Sequence, residues 1–276
     1  MAISSLVRVV AGTDHTAGAS FALGWATDVA ASLAIDLVVA TAYSDPEGNI
    51  PTEAALQHLD AITHQLMSET SSAEASNINF TLLPIIGDPA TVLHELNSPD
   101  SLLVIGADSK SQTAIGPIAR FVTHHLSGPL ALVPGPSPPL AKAGLMVGVD
   151  GSHANDVALR WAADVARRCP CRLNAVYGDH PLLGDDYRWG SSAKTDVGER
   201  TAEEHVRLVD SEDVDIRFVN IHAKAVDALL EAVDRFQPRA LVIGTRGFGG
   251  LQGNILGSVP KQLLNDPPCP IILVPH

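Results

Sequence analysis

The sequence predicts an α/β protein built as two tandem domains, each a mainly parallel sheet covered by helices on both faces. Three observations lead there. Short apolar, β-branched runs alternate with helical patterns along the chain. A proline-rich stretch, Pro134-Gly-Pro-Ser-Pro-Pro139, interrupts that alternation, and the same order begins again after it.

In the first half, Leu6 to Ala11 reads as a strand stopping at Gly12-Thr-Asp14, followed by a helix through Phe21, Trp25, Val29 and Leu33. Leu37 to Tyr43 is a second strand and Thr52 to Met67 a second helix, entered through Pro51-Thr52. A third strand, Phe80 to Ile86, ends at Gly87; Asp88 then caps a short helix with Pro89 in its first turn. Leu102 to Ile105, a helix over Gly116 to Leu126, and Leu130 to Val133 complete the half.

After the break, Leu145 to Val149 is a strand, Asp150-Gly-Ser152 a turn and Val157 to Ala166 a helix. Leu173 to Tyr177 follows as a strand. Tyr177 to Asp196 is then expected as a long mobile loop, with a helix from Thr201 to Val209. Ile216 to Ile221, Ala240 to Ile243 and Ile271 to Val274 are strands, with helices over Val226 to Phe236 and Ser258 to Leu264. The halves also agree residue by residue. Asp14 and Asp150 each stand eleven residues before a tryptophan, in Trp25-Ala-Thr-Asp-Val-Ala and Trp161-Ala-Ala-Asp-Val-Ala. A tandem duplication of a domain of about 135 residues is therefore expected: 1–135, a linker over 136–143, and 144–276.

Composition narrows the function classes. An apolar fraction of 46% suffices for a buried core, and no apolar run reaches the ~18 residues that cross a bilayer. The start Met1-Ala-Ile-Ser-Ser lacks a charged n-region and a cleavage site, so a cytoplasmic address is expected. Three cysteines cannot form a disulfide framework, and Cys169-Pro-Cys171 has no second pair to complete a metal set. A net charge of -13 argues against a general nucleic-acid binder. The first 139 residues hold only Arg8, Lys110 and Arg120 as cations, so a polyanion would favour the second half.

The stretch richest in chemistry is Leu241-Val-Ile-Gly-Thr-Arg-Gly-Phe-Gly-Gly, continuing to Leu256-Gly-Ser-Val-Pro260. A strand ends in a glycine-rich loop, and Gly257-Ser258 opens a helix. Backbone N–H groups then converge on one anion-sized space. The spacing is Gly244-x2-Gly247-x9-Gly257-Ser258. No Gly-x4-Gly-Lys-[Ser/Thr] P-loop, dinucleotide fingerprint, zinc-protease helix or Gly-x-Ser-x-Gly elbow occurs. His124-His125 is expected to be solvated or capping.

The alternating strands and helices, Asp150-Gly-Ser152 after the first strand of the half, the glycine spacing and the closing Cys269-Pro-Ile-Ile-Leu-Val-Pro275 together resemble the universal stress protein family, as two such domains in tandem. That resemblance implies doubly wound sheets of strand order 3-2-1-4-5 and, in the branch showing this motif, ATP held with little turnover. It implies Asp150 near adenine and ribose within the Gly151-Ser152 turn, and Val176 beside adenine. Gly244, Gly247, Gly257 and Ser258 would form the phosphate cradle, joined by Thr245 and Val259 through their backbones and by Arg246 through its side chain. A magnesium ion is a possible companion; no catalytic residue is implied.

The first half has lost this pattern. Ser109 stands where Gly247 would, and Pro117, which has no N–H, stands where Ser258 does. The expectation is a cytosolic, nucleotide-dependent sensor or regulator with ATP in the second domain, paired as a dimer through its fifth strands. The alternatives are a nucleotide-free dimerising scaffold and a slow ATPase or phosphotransfer protein in which Asp150 holds a metal.

Overall fold

The computed structural model describes residues 6–14, 16–43, 57, 78–107, 115–136, 144–179, 191–209, 213–246 and 256–276. The chain divides into two compact units, Met1–Leu140 and Ala141–His276. The division falls just after Pro139, where the prolines end the pattern of the first half.

The first unit contains β1 (Arg8–Gly12), α1 (Ala17–Leu33), β2 (Asp36–Tyr43), β3 (Phe80–Ile86), α2 (Pro89–Leu96), β4 (Ser101–Gly106), α3 (Pro117–His124) and β5 (Leu130–Val133). All of its pairings are parallel: β2 with β3, β1 with β2, β1 with β4 and β4 with β5. The order β3-β2-β1-β4-β5 results. β3 ends that order, which is where a strand tolerates Pro84.

The second unit repeats the plan with β6 (Leu145–Val149), α4 (His153–Arg168), β7 (Leu173–Gly178), α5 (Ser191–Val209), β8 (Ile216–Ile221), α6 (Ala225–Phe236), β9 (Ala240–Gly244), α7 (Ser258–Leu263) and β10 (Ile271–Val274). Its parallel pairings give β8-β7-β6-β9-β10. Every residue of β9 and β10 is buried, and so is every residue of β5. Unbroken burial along a strand requires cover on both faces, which is why these strands read as continuous apolar runs. The two repeated tryptophans, Trp25 and Trp161, are both buried, so the matching stretches around them are core sequence.

Local chemistry sets the helix starts. Thr16 caps α1 by accepting from the Ala19 N–H at 3.1 Å, Ser152 caps α4 from Asn155 at 3.3 Å, and Asp88 caps α2 from Thr91 at 3.0 Å. The Thr91 N–H is also the main reason the Asp88 carboxyl sits below its ordinary range. His125 ends α3 with its ring nitrogen 2.8 Å from the Phe121 carbonyl, the capping role expected for this pair.

Two expectations need correction. α4 starts at His153, four residues before Val157, because Ser152 supplies the cap although His153-Ala-Asn-Asp156 shows no apolar period. α5 starts at Ser191, so Ser191 to Asp196 is helical and not part of a loop. This segment lacks proline and carries good helix formers such as Ala193 and Lys194. Gly198 within the same helix is explained by packing: a Cβ there would stand 2.5 Å from the Tyr177 hydroxyl. The helix expected over Thr52 to Met67 lies outside the described residues except for Gln57, which is helical. No helix among the described residues is long and apolar enough to cross a membrane.

Candidate functional site: a crevice at the strand-order reversal

In the second unit β6 pairs with β7 on one side and β9 on the other, so the chain order reverses between β6 and β9. Ligands of doubly wound sheets bind outside the carboxyl ends of the strands at such a reversal. Asp150 follows β6 directly and Gly244 closes β9, so both halves of the expected site reach the same crevice.

The Asp150 side is a tight turn. Its Oδ1 accepts the Ser152 N–H at 2.9 Å, and the Ser152 hydroxyl then caps α4. Gly151 is buried in the left-handed region at φ +75, and a Cβ on it would stand 3.2 Å from the Ala202 nitrogen of α5. Only glycine adopts this turn without strain while α5 packs so closely against it. Asn155, which no sequence motif singled out, is buried and donates to the Gly148 carbonyl at 2.9 Å, tying α4 to β6.

On the other side, Thr245 donates to Val274 at 3.1 Å, continuing the β9–β10 ladder, and its carbonyl accepts the Gly257 N–H at 2.9 Å. That second bond draws the two ends of the glycine loop together and sets Ser258 and Val259 beside Thr245 and Arg246. Gly257 caps α7, and Lys261 donates back to its carbonyl at 3.2 Å. The N–H groups of Ser258 and Val259 have no helical acceptor by geometry, and Pro260 has none to offer. A side chain at Gly244 would crowd the Arg246 carbonyl at 3.2 Å. Gly247 lies outside the described residues.

Two further placements matter. Val176 is buried late in β7, opposite Gly148 and Val219. Its neighbour Tyr177 has its phenol pushed up by burial and by the charges of Asp179, Glu199 and Asp150, so it stays neutral. Arg246 donates to His276 Nε2 at 2.7 Å. Burial first, then the Arg246 charge, holds the His276 imidazole below its ordinary pKa, keeping it neutral to accept that bond. No sequence pattern marks this pair, thirty residues apart, because only the parallel pairing of β9 and β10 brings them together.

The same crevice exists in the first unit, with different chemistry. A cavity of about 260 Å³ lies between Gly12, Asp14, Leu93, Ile105, Gly106 and Pro117. Asp14 repeats the turn, accepting from the Thr16 N–H at 3.1 Å and from its hydroxyl at 2.7 Å. No lysine, arginine or histidine lines this cavity among the described residues, and Pro117 opens α3 without a donor.

Residues 144–275 match the family model described as the universal stress protein family. A universal stress protein of Mycolicibacterium smegmatis is 28% identical over 61% of this chain, and the match spans 58% of that relative's length. One from Mycobacterium tuberculosis is 24% identical over 96% of this chain and 94% of its own. Among solved structures, a universal stress protein from Archaeoglobus fulgidus shares the fold with a TM-score of 0.67 at 16% identity, covering 97% of this chain and 98% of that one. The second unit thus matches the universal stress protein family, and a universal stress protein aligns with this chain along nearly its whole length.

Proposed function

We propose that this chain is an ATP-binding sensor or regulator that holds one nucleotide in its second unit and does not turn it over rapidly. The observation that carries the reading is the Gly257 to Thr245 hydrogen bond at 2.9 Å. It brings the start of α7 against the end of β9, beside the crevice that Asp150 enters from the neighbouring strand. Ser258 and Val259 donate to phosphate oxygens, and glycine at 244, 247 and 257 lets the backbone approach them. Asp150 lies at the ribose side, held by Ser152, with Gly151 shaping its turn and Val176 beside the adenine. Arg246 faces phosphate when it exchanges His276 for the ligand, and a magnesium ion accompanies the phosphates.

Among the described residues at this site the side chains supply contacts. Asp150 is engaged by the Ser152 N–H and Tyr177 stays protonated, so neither is poised to activate water. The first unit is proposed to support the second without holding ATP, since a triphosphate entering its cavity, which no cation lines among the described residues, would meet a proline in place of the Ser258 donor. A cytoplasmic dimer belongs to the same proposal. Mass spectrometry of the purified protein tests the ligand: co-purifying ATP and an ATP-dependent rise in melting temperature are expected. A nucleotide-free protein with no ATP shift would reject the reading.

A further inference from the structure

On the flank of the second unit, away from the glycine loop in sequence, three metal-ligating side chains meet. His153 and Asp156 stand three residues apart at the start of α4 and so share a face. His205 reaches them from the last turns of α5. His153 Nδ1 lies 3.3 Å from Asp156 Oδ2, and His205 Nδ1 lies 2.7 Å from Asp156 Oδ1. One ligand atom from each residue falls within 4.8 Å of the others, and the two imidazole rings stack with centroids 5.5 Å apart.

The His205 approach lacks the direction of a hydrogen bond, and its buried Nδ1 has no hydrogen-bond partner. A cation shared by the three side chains would give that orphaned nitrogen a partner: ligands held at ~2.0–2.2 Å stand about 3 to 3.5 Å apart, which is the spacing of the His153 pair at 3.3 Å, and the His205 pair at 2.7 Å would open slightly to admit the ion. Asp156 alone would be accounted for by the partial positive charge at the start of α4. The convergence of two imidazoles on its two oxygens would not.

We propose that His153, Asp156 and His205 form a binding site for a divalent transition-metal cation of the zinc, cobalt and nickel class. Two imidazoles and a carboxylate select such ions over magnesium, which prefers an all-oxygen shell, so this site is distinct from any magnesium carried by a nucleotide. Three protein ligands leave a coordination position for water. The cation would clamp α5 to α4, and α5 is the helix whose Ala202 nitrogen abuts the Gly151 turn. Metal binding at the flank thus fixes one wall of the crevice.

The test uses the full chain after dialysis against EDTA, titrated with zinc chloride by calorimetry and with cobalt chloride by visible absorption. One zinc equivalent, a higher melting temperature and a cobalt spectrum without a thiolate charge-transfer band are expected, unaffected by excess magnesium. His205→Ala and His153→Ala should each weaken zinc binding more than ~100-fold, since losing a direct ligand exceeds the ~10–100-fold cost of outer-shell losses. His205 is partly buried, whereas His153 is 95% exposed, so the His153 variant probes the site without disturbing the core. Absence of zinc binding, unchanged binding in both variants, or a thiolate band abolished by Cys171→Ser would overturn the proposal.

Discussion

The two units build the same turn at the same strand end and then diverge at the helix that opens after the fourth strand of each. Asp14 with Thr16 and Asp150 with Ser152 make equivalent hydrogen bonds, at 3.1 and 2.9 Å, and each hydroxyl caps the following helix. The cradles differ: α3 opens with Gly116-Pro117 and α7 with Gly257-Ser258. An aspartate that organises a helix cap is kept by folding alone, so Asp14 is no sign of a ligand. The helix-opening residue has no such structural task. Proline suits the first helical position as well as serine does, so the choice there reports what the N–H is needed for.

Exchanging those residues breaks the comparison most sharply. Ser258→Pro should leave the fold intact, as Pro117 shows, while removing an N–H and a hydroxyl from the phosphates. Hydrogen bonds to charged groups contribute about 1.5–3 kcal/mol, so calorimetry should read a tenfold to hundredfold loss of ATP affinity. Pro117→Ser should not create an ATP site, because no cation lines the first cavity among the described residues.

Stability probes sharpen the same contrast. A Cβ on Gly106 would stand 2.6 Å from the Gly18 backbone, whereas one on Gly244 meets the Arg246 carbonyl at 3.2 Å. Urea unfolding should therefore show Gly106→Ala destabilised by about 1–3 kcal/mol and Gly244→Ala by less. The glycine of the first unit serves packing, and that of the second is proposed to serve access. Gly151→Ala, strained by φ +75 and crowded by Ala202, should cost about 1–2 kcal/mol in the same experiment.

The smallest effect concerns pH. His276 has a folded pKa below its ordinary 6.5, so its neutral form is favoured by folding. Its contribution is whole above about 6.5 and is lost as pH falls through the lowered folded value, when the proton displaces the Arg246 hydrogen bond. His276→Gln should flatten the melting temperature between about pH 7 and pH 5.

Much of this was readable in the residues, for physical reasons. Fully buried strands such as β9 and β10 announce themselves as unbroken apolar runs, and Asp88-Pro89 states its cap and first turn in order. α5 was legible only where Ala202 and Val206 pack into the core; its opening Ser-Ser-Ala-Lys-Thr-Asp carries no apolar period. The glycines proposed as a cradle and Asp150 were visible as spacing. Asn155, the Arg246–His276 pair and the first-unit cavity were not, because each depends on strands and helices meeting in space.

The asymmetry between the units rests on how many nucleotides one chain holds. Calorimetric titration of nucleotide-free protein with ATP should give one equivalent per chain, with its affinity lowered tenfold to hundredfold by Ser258→Pro. Two equivalents, or one whose affinity is unchanged by Ser258→Pro, would place ATP in the first unit and contradict the account.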